Sequence, residues 1–295
     1  MSLVATLIAH PARPILSQEI ADRAMHALGA SRIDWLNPGV ALDIPLPQEL
    51  AQDEASSRLA TLLASEPIDH AVQVAETRRK KLLIADMDST MIDQECIDEL
   101  ADEVGLKEHV ADITARSMNG ELAFEPALRE RVALLAGLDV GVIARIIENR
   151  ITLASGGTAL VATMNAAGAW TALVSGGFLS FTGPIAAKLG FQENRANVLL
   201  EEDGRLAGKV AEPILGRAAK AEALTEMTTR LGLSVEDAIA VGDGANDLDM
   251  LQLAGTGVAL HAKPSVAAQA RIRIDHGDLS ALLYLQGYRQ EEIIA

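Results

Sequence analysis

Three short segments carry acids, a hydroxyl and glycines in spacings that suit phosphoryl transfer. Asp86-Met87-Asp88-Ser89-Thr90 sets two carboxylates one residue apart. Ser175-Gly176-Gly177 joins a hydroxyl to a glycine turn, and Gly242-Asp243-Gly244-Ala245-Asn246-Asp247 adds two acids and an amide. Any one of them reads equally well as an ordinary turn, because Asp, Ser and Gly are common turn formers. All three, however, directly follow short apolar runs: LLIA, WTALV and AIAV. If Asp86, Asp88 and Asp243 converge within about 4 Å, each pair repels by roughly 4 kcal/mol at an effective dielectric near 20. A typical domain has only about 5 to 15 kcal/mol of stability, so either a cation sits among them or one carboxyl is protonated. An all-oxygen set suits Mg²⁺, and no His/Cys cluster offers a zinc site.

Phosphoryl transfer needs an in-line nucleophile, positive charge near the equatorial oxygens and a proton for the leaving oxygen. An aspartate serves as nucleophile by forming an acyl phosphate. Asp86 then attacks, while Asp88 protonates the departing alkoxide and later deprotonates water, and the Asp88 carbonyl helps hold the metal. The Ser175 hydroxyl and the Gly176 N–H are suited to phosphate oxygens.

The elements that must position these residues are visible as alternating apolar runs and helical patterns from Leu82 onward, with TGVAL at 256 to 260 as a further run. That alternation predicts an α/β fold with a Rossmann-like, doubly wound parallel sheet, whose ligands sit beyond the carboxyl ends of the strands. Residues 93–149 contain no such run and read as a helical insertion. Residues 1–78 form a separate pattern: a strand over 2–9, a helix from Ser17 to Leu28 stopped by Gly29, a Pro-rich turn, and a second helix from about Glu54 to Ser65. This predicts a small α+β module, with the charged stretch ETRRKK at 76–81 as the seam. The expected division is 1–78, then 79–92 with 150–295, with 93–149 inserted.

Two features could mislead. Ser155-Gly156-Gly157 repeats the second segment's SGG, but it precedes a helical run through Met164 and reads as a helix N-terminus whose serine could still approach phosphate. LLEEDGRLAGKV reads as a β-ribbon beside the site. GDGAND lacks the third glycine of a dinucleotide fingerprint.

Composition narrows the classes. A net charge of −16 over 295 residues argues against nucleic acid and acidic membranes as partners, which are held chiefly by Lys and Arg. Cys96 is the only cysteine, so no intrachain disulfide is available, and it reads as a small buried hydrophobe. The opening MSLVATLIAHP lacks the basic start of a signal peptide, and a cytoplasmic location is expected. His10, Trp35, Asp43 and Trp170 read as fold residues.

DMDST, SGGF, the lysine of GRAAKAEAL and GDGANDLDM resemble, in order, the four motifs of the haloacid dehalogenase (HAD) superfamily. Within it the chain is similar to the phosphoserine phosphatases, from about Lys80 to the C-terminus. The resemblance implies Asp86 as nucleophile, Asp88 as acid/base, and Mg²⁺ held by Asp86, the Asp88 carbonyl and Asp243, with Asp247 just beyond the metal's own ligands. It implies that Lys220 neutralises nucleophile and phosphate, that Ser175 and Gly176 bind phosphate, and that Asn246 contacts substrate. The insertion resembles the family's small cap, in which Glu95 would meet the substrate ammonium, Arg131 rather than Arg129 its carboxylate, and Phe124 would be the cap aromatic. The N-terminal module resembles the ferredoxin/ACT-like units fused to some members, with dimerisation or support favoured over ligand sensing. The implied activity is hydrolysis of O-phospho-L-serine. A HAD phosphatase or phosphotransferase for another small ester such as phosphohomoserine, and a slow phospho-accepting sensor, stand as alternatives.

Overall fold

The computed structural model describes residues 2–294. The N-terminal segment runs β1 (Leu3–Ala9), α1 (Gln18–Ala27), β2 (Asp34–Asn37), β3 (Ala41–Pro45), α2 (Gln52–Leu62) and β4 (Ile68–Val74). Its strands pair antiparallel in the order β2-β3-β1-β4, a ferredoxin-like βαββαβ unit. Ser17 caps α1 by accepting the Ile20 N–H at 3.3 Å. The second helix starts and ends earlier than the sequence pattern suggests. Its apolar anchors, Ala55 and Leu59, lie in the first two turns, whereas Ala64 and Ser65 at the end of the expected span form an exposed turn.

Period-two burial sorts this sheet's faces. Ala5, Leu7, Leu42, Ile44 and Val72 pack with α1 and α2, while Ile8, Ala41 and Ala71 face the rest of the protein. That second face is tied down by polar contacts. Asp69 accepts the backbone N–H groups of Asp275, His276 and Gly277 at 2.8, 3.1 and 2.7 Å, and Asn37 donates to the Tyr284 hydroxyl at 2.7 Å.

After the seam comes β5 (Leu82–Ala85), then the helices α3 (Cys96–Asp102), α4 (Lys107–Met118), α5 (Phe124–Ala133) and α6 (Gly141–Asn149). The chain continues through α7 (Gly157–Ala166), β6 (Trp170–Phe178), α8 (Leu179–Leu189), β7 (Glu193–Asn197), β8 (Leu199–Glu202), β9 (Arg205–Val210) and α9 (Arg217–Leu231). It ends with β10 (Ala238–Gly242), α10 (Leu248–Leu253), β11 (Thr256–Leu260), α11 (Pro264–Ala267), β12 (Ile272–Ile274) and α12 (Ala281–Leu285).

Six strands form one parallel sheet in the order β12-β11-β10-β5-β6-β7. Both faces are covered: Leu83, Ala85, Ile239 and Val241 pack toward α7, α8 and the C-terminal segment, and Leu82, Ile84, Ala238 and Ala240 toward α9 and α10. Because β5 lies between β10 and β6, the three candidate segments leave the sheet from adjacent strands. The β6 strand runs on through Ser175–Phe178, with its register to β7 broken between Val174 and Phe178, so Ser175 sits inside an irregular strand end rather than after it. Among the described residues, no helix is long and apolar enough to cross a membrane.

Candidate active site

The neighbouring strand ends bring one oxygen each of Asp86, Asp243 and Asp247 within 4.8 Å of one another, all three residues buried. The expected trio was Asp86, Asp88 and Asp243. Asp247 takes the third place, because the turn after β10 folds its carboxyl back under the Asp243 and Gly244 N–H groups, which donate to Oδ2 at 3.2 and 3.1 Å. The Asp88 carboxyl turns elsewhere: Oδ1 accepts the Cys96 N–H at 2.9 Å, and Oδ2 accepts the Ser175 hydroxyl at 3.4 Å. The two acids of DxD therefore occupy different environments.

Lys220, fully buried in the first turn of α9, reaches Asp86 Oδ1 at 2.7 Å and Asp247 Oδ1 at 2.6 Å. Burial works against its charge, but Asp247 and Asp86 outweigh it and hold its pKa above that of a free lysine. One ammonium cannot balance three acids. Burial, reinforced by the charge of Asp247 and opposed by Lys220, pushes Asp86 well above the usual carboxylate range. Asp243 is pushed up to about 7 by burial and by Asp247. Its Oδ2 is buried and accepts no hydrogen bond, although Lys263 Nζ stands 3.4 Å away as an ion pair. Surplus buried negative charge and an orphaned carboxylate oxygen fit a hard divalent cation with oxygen ligands.

A small cavity adjoins this cluster, lined by Asp86, Asp88, Glu95, Phe124, Arg131, Ser175, Gly176 and Asn246, with Ile97, Met118, Leu128 and Phe178 as its apolar wall. Each residue inferred to meet phosphate or substrate, Lys220 excepted, is on that wall. Lys220 lies one layer behind, touching Asp86. Asp88 is raised chiefly by burial, opposed by the Cys96 N–H, which favours a carboxyl that carries a proton to donate. Phe124, first residue of α5, lies against Gly176 so closely that a side-chain carbon there would stand 2.7 Å from its ring. Asn246 Oδ1 is buried without a hydrogen-bond partner.

The same cavity is lined by a further acid and a base. Glu95 is held by the Ser89 hydroxyl at 2.7 Å, an approach that Ser89 makes from the left-handed backbone region at φ 53°. Burial, then the charges of Asp88 and Asp243, push Glu95 well up. Arg131 is buried on α5, donating from Nε to the Ala127 carbonyl at 3.0 Å and from Nη1 to the Thr114 hydroxyl at 2.9 Å. Arg129 points outward to Glu212 and Glu125, at 2.8 and 3.3 Å.

Sequence reasoning missed Thr114, Asp98 and Ser89 as partners of these groups, and the apolar wall. A lone threonine within a helix carries no spacing signal, and its neighbours come from other helices. The repeated SGG and the ribbon both lie away from the cavity. Ser155 donates to Asp278 Oδ2 at 2.6 Å and does not line the cavity. The β8–β9 ribbon packs against α5 and the loop after it, with the Leu206 and Leu138 backbones bonded at 2.8 Å, so it braces the inserted helices instead of bordering the site. Cys96 is buried, and Trp170, at the start of β6, packs on the α9 face of the sheet with its indole N–H on Glu193 at 3.3 Å.

Residues 83–252 match the haloacid dehalogenase-like hydrolase family. A phosphoserine phosphatase of Streptomyces coelicolor is 37% identical over 98% of this chain and 72% of its own length. Among solved structures, a phospho-aspartyl intermediate analogue of phosphoserine phosphatase is 40% identical with a TM-score of 0.67, over 70% of this chain and 98% of that one. A HAD family hydrolase from Salmonella enterica serovar Typhi is 29% identical with a TM-score of 0.84, over 96% of this chain and 97% of that one.

Proposed function

The chain belongs to the haloacid dehalogenase-like hydrolases, and from that membership we propose that it hydrolyses O-phospho-L-serine to L-serine and phosphate, the closing step of serine biosynthesis. The observation that carries the reading is a single cavity lined both by the lysine-paired Asp86 and by an acid and a base, Glu95 and Arg131. A carboxyl and a guanidinium in one cavity suit a substrate bearing both an ammonium and a carboxylate.

In this reading the Asp86 carboxylate attacks phosphorus, and the bond from phosphorus to the seryl oxygen breaks as Asp88 gives that oxygen its proton. Asp88, now a carboxylate, takes a proton from water. The water oxygen then adds to phosphorus of the aspartyl phosphate, releasing inorganic phosphate and the Asp86 carboxylate. Lys220 offsets charge on Asp86 throughout, and Ser175 and the Gly176 N–H bind phosphate oxygens. Asp86, the Asp88 carbonyl and Asp243 would hold Mg²⁺, which would supply positive charge against the phosphoryl oxygens. Asp247 orients this cluster through Lys220 and the backbone of its own turn, and Asn246 meets the substrate beside it. Glu95 takes the ammonium, Arg131 the carboxylate, and Phe124 covers the seryl carbons. The cavity measures about 20 Å³, room for little more than one water, so the helices of residues 93–149 act as a cap that opens to admit substrate and closes to exclude solvent. Residues 1–78 serve as support.

The test is phosphate release from L-phosphoserine with Mg²⁺, with EDTA and with Asp86→Asn, beside a panel of other phosphate esters. Metal-dependent release that favours phosphoserine and disappears in the variant is expected. Preference for another ester would replace the substrate and keep the chemistry, and release undiminished in Asp86→Asn would overturn the mechanism.

A further inference from the structure

Arg131 is a buried cation that the protein leaves half satisfied. A guanidinium carries five N–H hydrogens. The protein accepts from Nε through the Ala127 carbonyl at 3.0 Å and from Nη1 through Thr114 at 2.9 Å. Among the described residues Arg131 forms no salt bridge, although it is only 2% exposed. A buried charge without a paired counter-charge is costly, so this arrangement has to be maintained by its neighbours.

Thr114 is the neighbour that maintains it. Its oxygen accepts from Arg131, and its single hydroxyl proton has two acceptors in reach, Asp98 Oδ1 at 2.7 Å and the Val110 carbonyl at 2.9 Å. The shorter bond, to an ionisable oxygen, is the stronger. The hydrogen bonds therefore run from Arg131 to Thr114 to Asp98, linking α5, α4 and α3. Asp98 attracts Arg131 through the intervening hydroxyl without touching it. Direct contact would form an ion pair and spend the guanidinium on the protein. With a hydroxyl in between, the arginine is oriented while the Nη1 and Nη2 hydrogens at its outer end stay open to a ligand carboxylate, the forked acceptor that a guanidinium matches.

We propose that Thr114, anchored by Asp98, is the positioning residue that keeps Arg131 open as a carboxylate receptor, and so sets the preference for phosphoserine over carboxylate-free phosphate esters. The proposal rests on the phosphoserine reading, and its test separates the two. Steady-state kinetics are compared for L-phosphoserine and O-phosphoethanolamine, which keeps the ammonium and lacks the carboxylate. Wild-type protein that handled both esters alike would overturn the substrate reading itself, before any variant is made. Given wild-type preference, Thr114→Val, which keeps the shape and removes the hydroxyl, raises KM for phosphoserine roughly tenfold, the scale of one buried hydrogen bond. Its kcat stays near wild type and KM for phosphoethanolamine does not follow. Thr114→Ser restores the phosphoserine KM. Asp98→Asn, which keeps an acceptor and removes the charge, gives a smaller rise with the same substrate dependence, and reads the same chain of bonds if the valine variant folds poorly. Equal rises for both esters, no rise, or failure of serine to rescue would overturn the positioning role.

Discussion

At the scale of single residues, the site is an electrostatic imbalance that folding tolerates. Asp86 and Asp247 share one buried lysine, with Asp243 clustered beside them, and both Asp86 and Asp243 have pKa values raised by burial. The sign of the consequence follows from linkage. A carboxyl whose native pKa lies above its unfolded value binds a proton more tightly when folded, so its contribution to stability is greatest at low pH and falls as pH rises. For Asp243 the fall runs from about pH 4 to its native value of about 7, and Asp86 acts in the same direction. A bound divalent cation removes that penalty by binding the ionised form. Mg²⁺ should therefore raise the Tm of EDTA-treated protein more at pH 8 than at pH 5.5, and a shift of equal size at both would show that these carboxylates are not what the metal stabilises.

At the scale of elements, three adjacent strand ends and one helix start have to meet within hydrogen-bond range, and small residues permit it. Gly242 ends β10 directly over Asp247. A side-chain carbon at Gly242 would lie 2.7 Å from Asp247 Cβ and nearer still to its carboxyl group. Gly242→Ala must displace Asp247 from Lys220 and from the two backbone N–H groups it accepts. Loss of stability by about 1 to 3 kcal/mol is expected, with phosphate release falling by roughly a hundredfold, the scale of about 3 kcal/mol in the barrier. Thermal melts and kcat on the purified variant check this, and near wild-type activity would mean that Asp247 can shift without harm. The helices of residues 93–149 belong to the same scale. Arg131 and Arg129 lie two residues apart on α5, which turns them to different sides of the helix, one into the cavity and one to Glu212.

At the scale of the whole molecule, the N-terminal module is fastened to the catalytic core through its sheet. Ile8, Ala41 and Ala71 join the apolar cluster that includes α12, and Asp69 collects three backbone N–H groups from the loop that follows β12. Charged acceptors of backbone hydrogen bonds are among the stronger polar contacts. Asp69→Ala leaves those donors without their partner, and urea denaturation should show a loss of about 2 to 4 kcal/mol, while KM for phosphoserine stays near wild type because none of these groups borders the cavity. A change below about 0.5 kcal/mol, the range of ordinary surface substitutions, would mean that the seam is held by apolar contact alone.

What could be learned from the residues in order was whatever depends on local pattern. Apolar runs followed by Asp or Ser and Gly announced the parallel sheet and the acids at its carboxyl edge, since strand ends and turn residues are short-range features, whereas Lys220 was named only through the resemblance to the family's motifs. The helical character of residues 93–149 and the α+β character of residues 1–78 were legible for the same reason. Only the tertiary structure decided that Asp247, not Asp88, completes the carboxylate cluster, because that depends on how one turn folds back on itself. It alone placed Thr114 and Asp98 behind Arg131, sent the β8–β9 ribbon to α5 instead of the cavity, and laid the N-terminal sheet against the C-terminal segment. Each of these joins residues distant in the chain, and such contacts are set by packing, which leaves no periodic trace in the sequence.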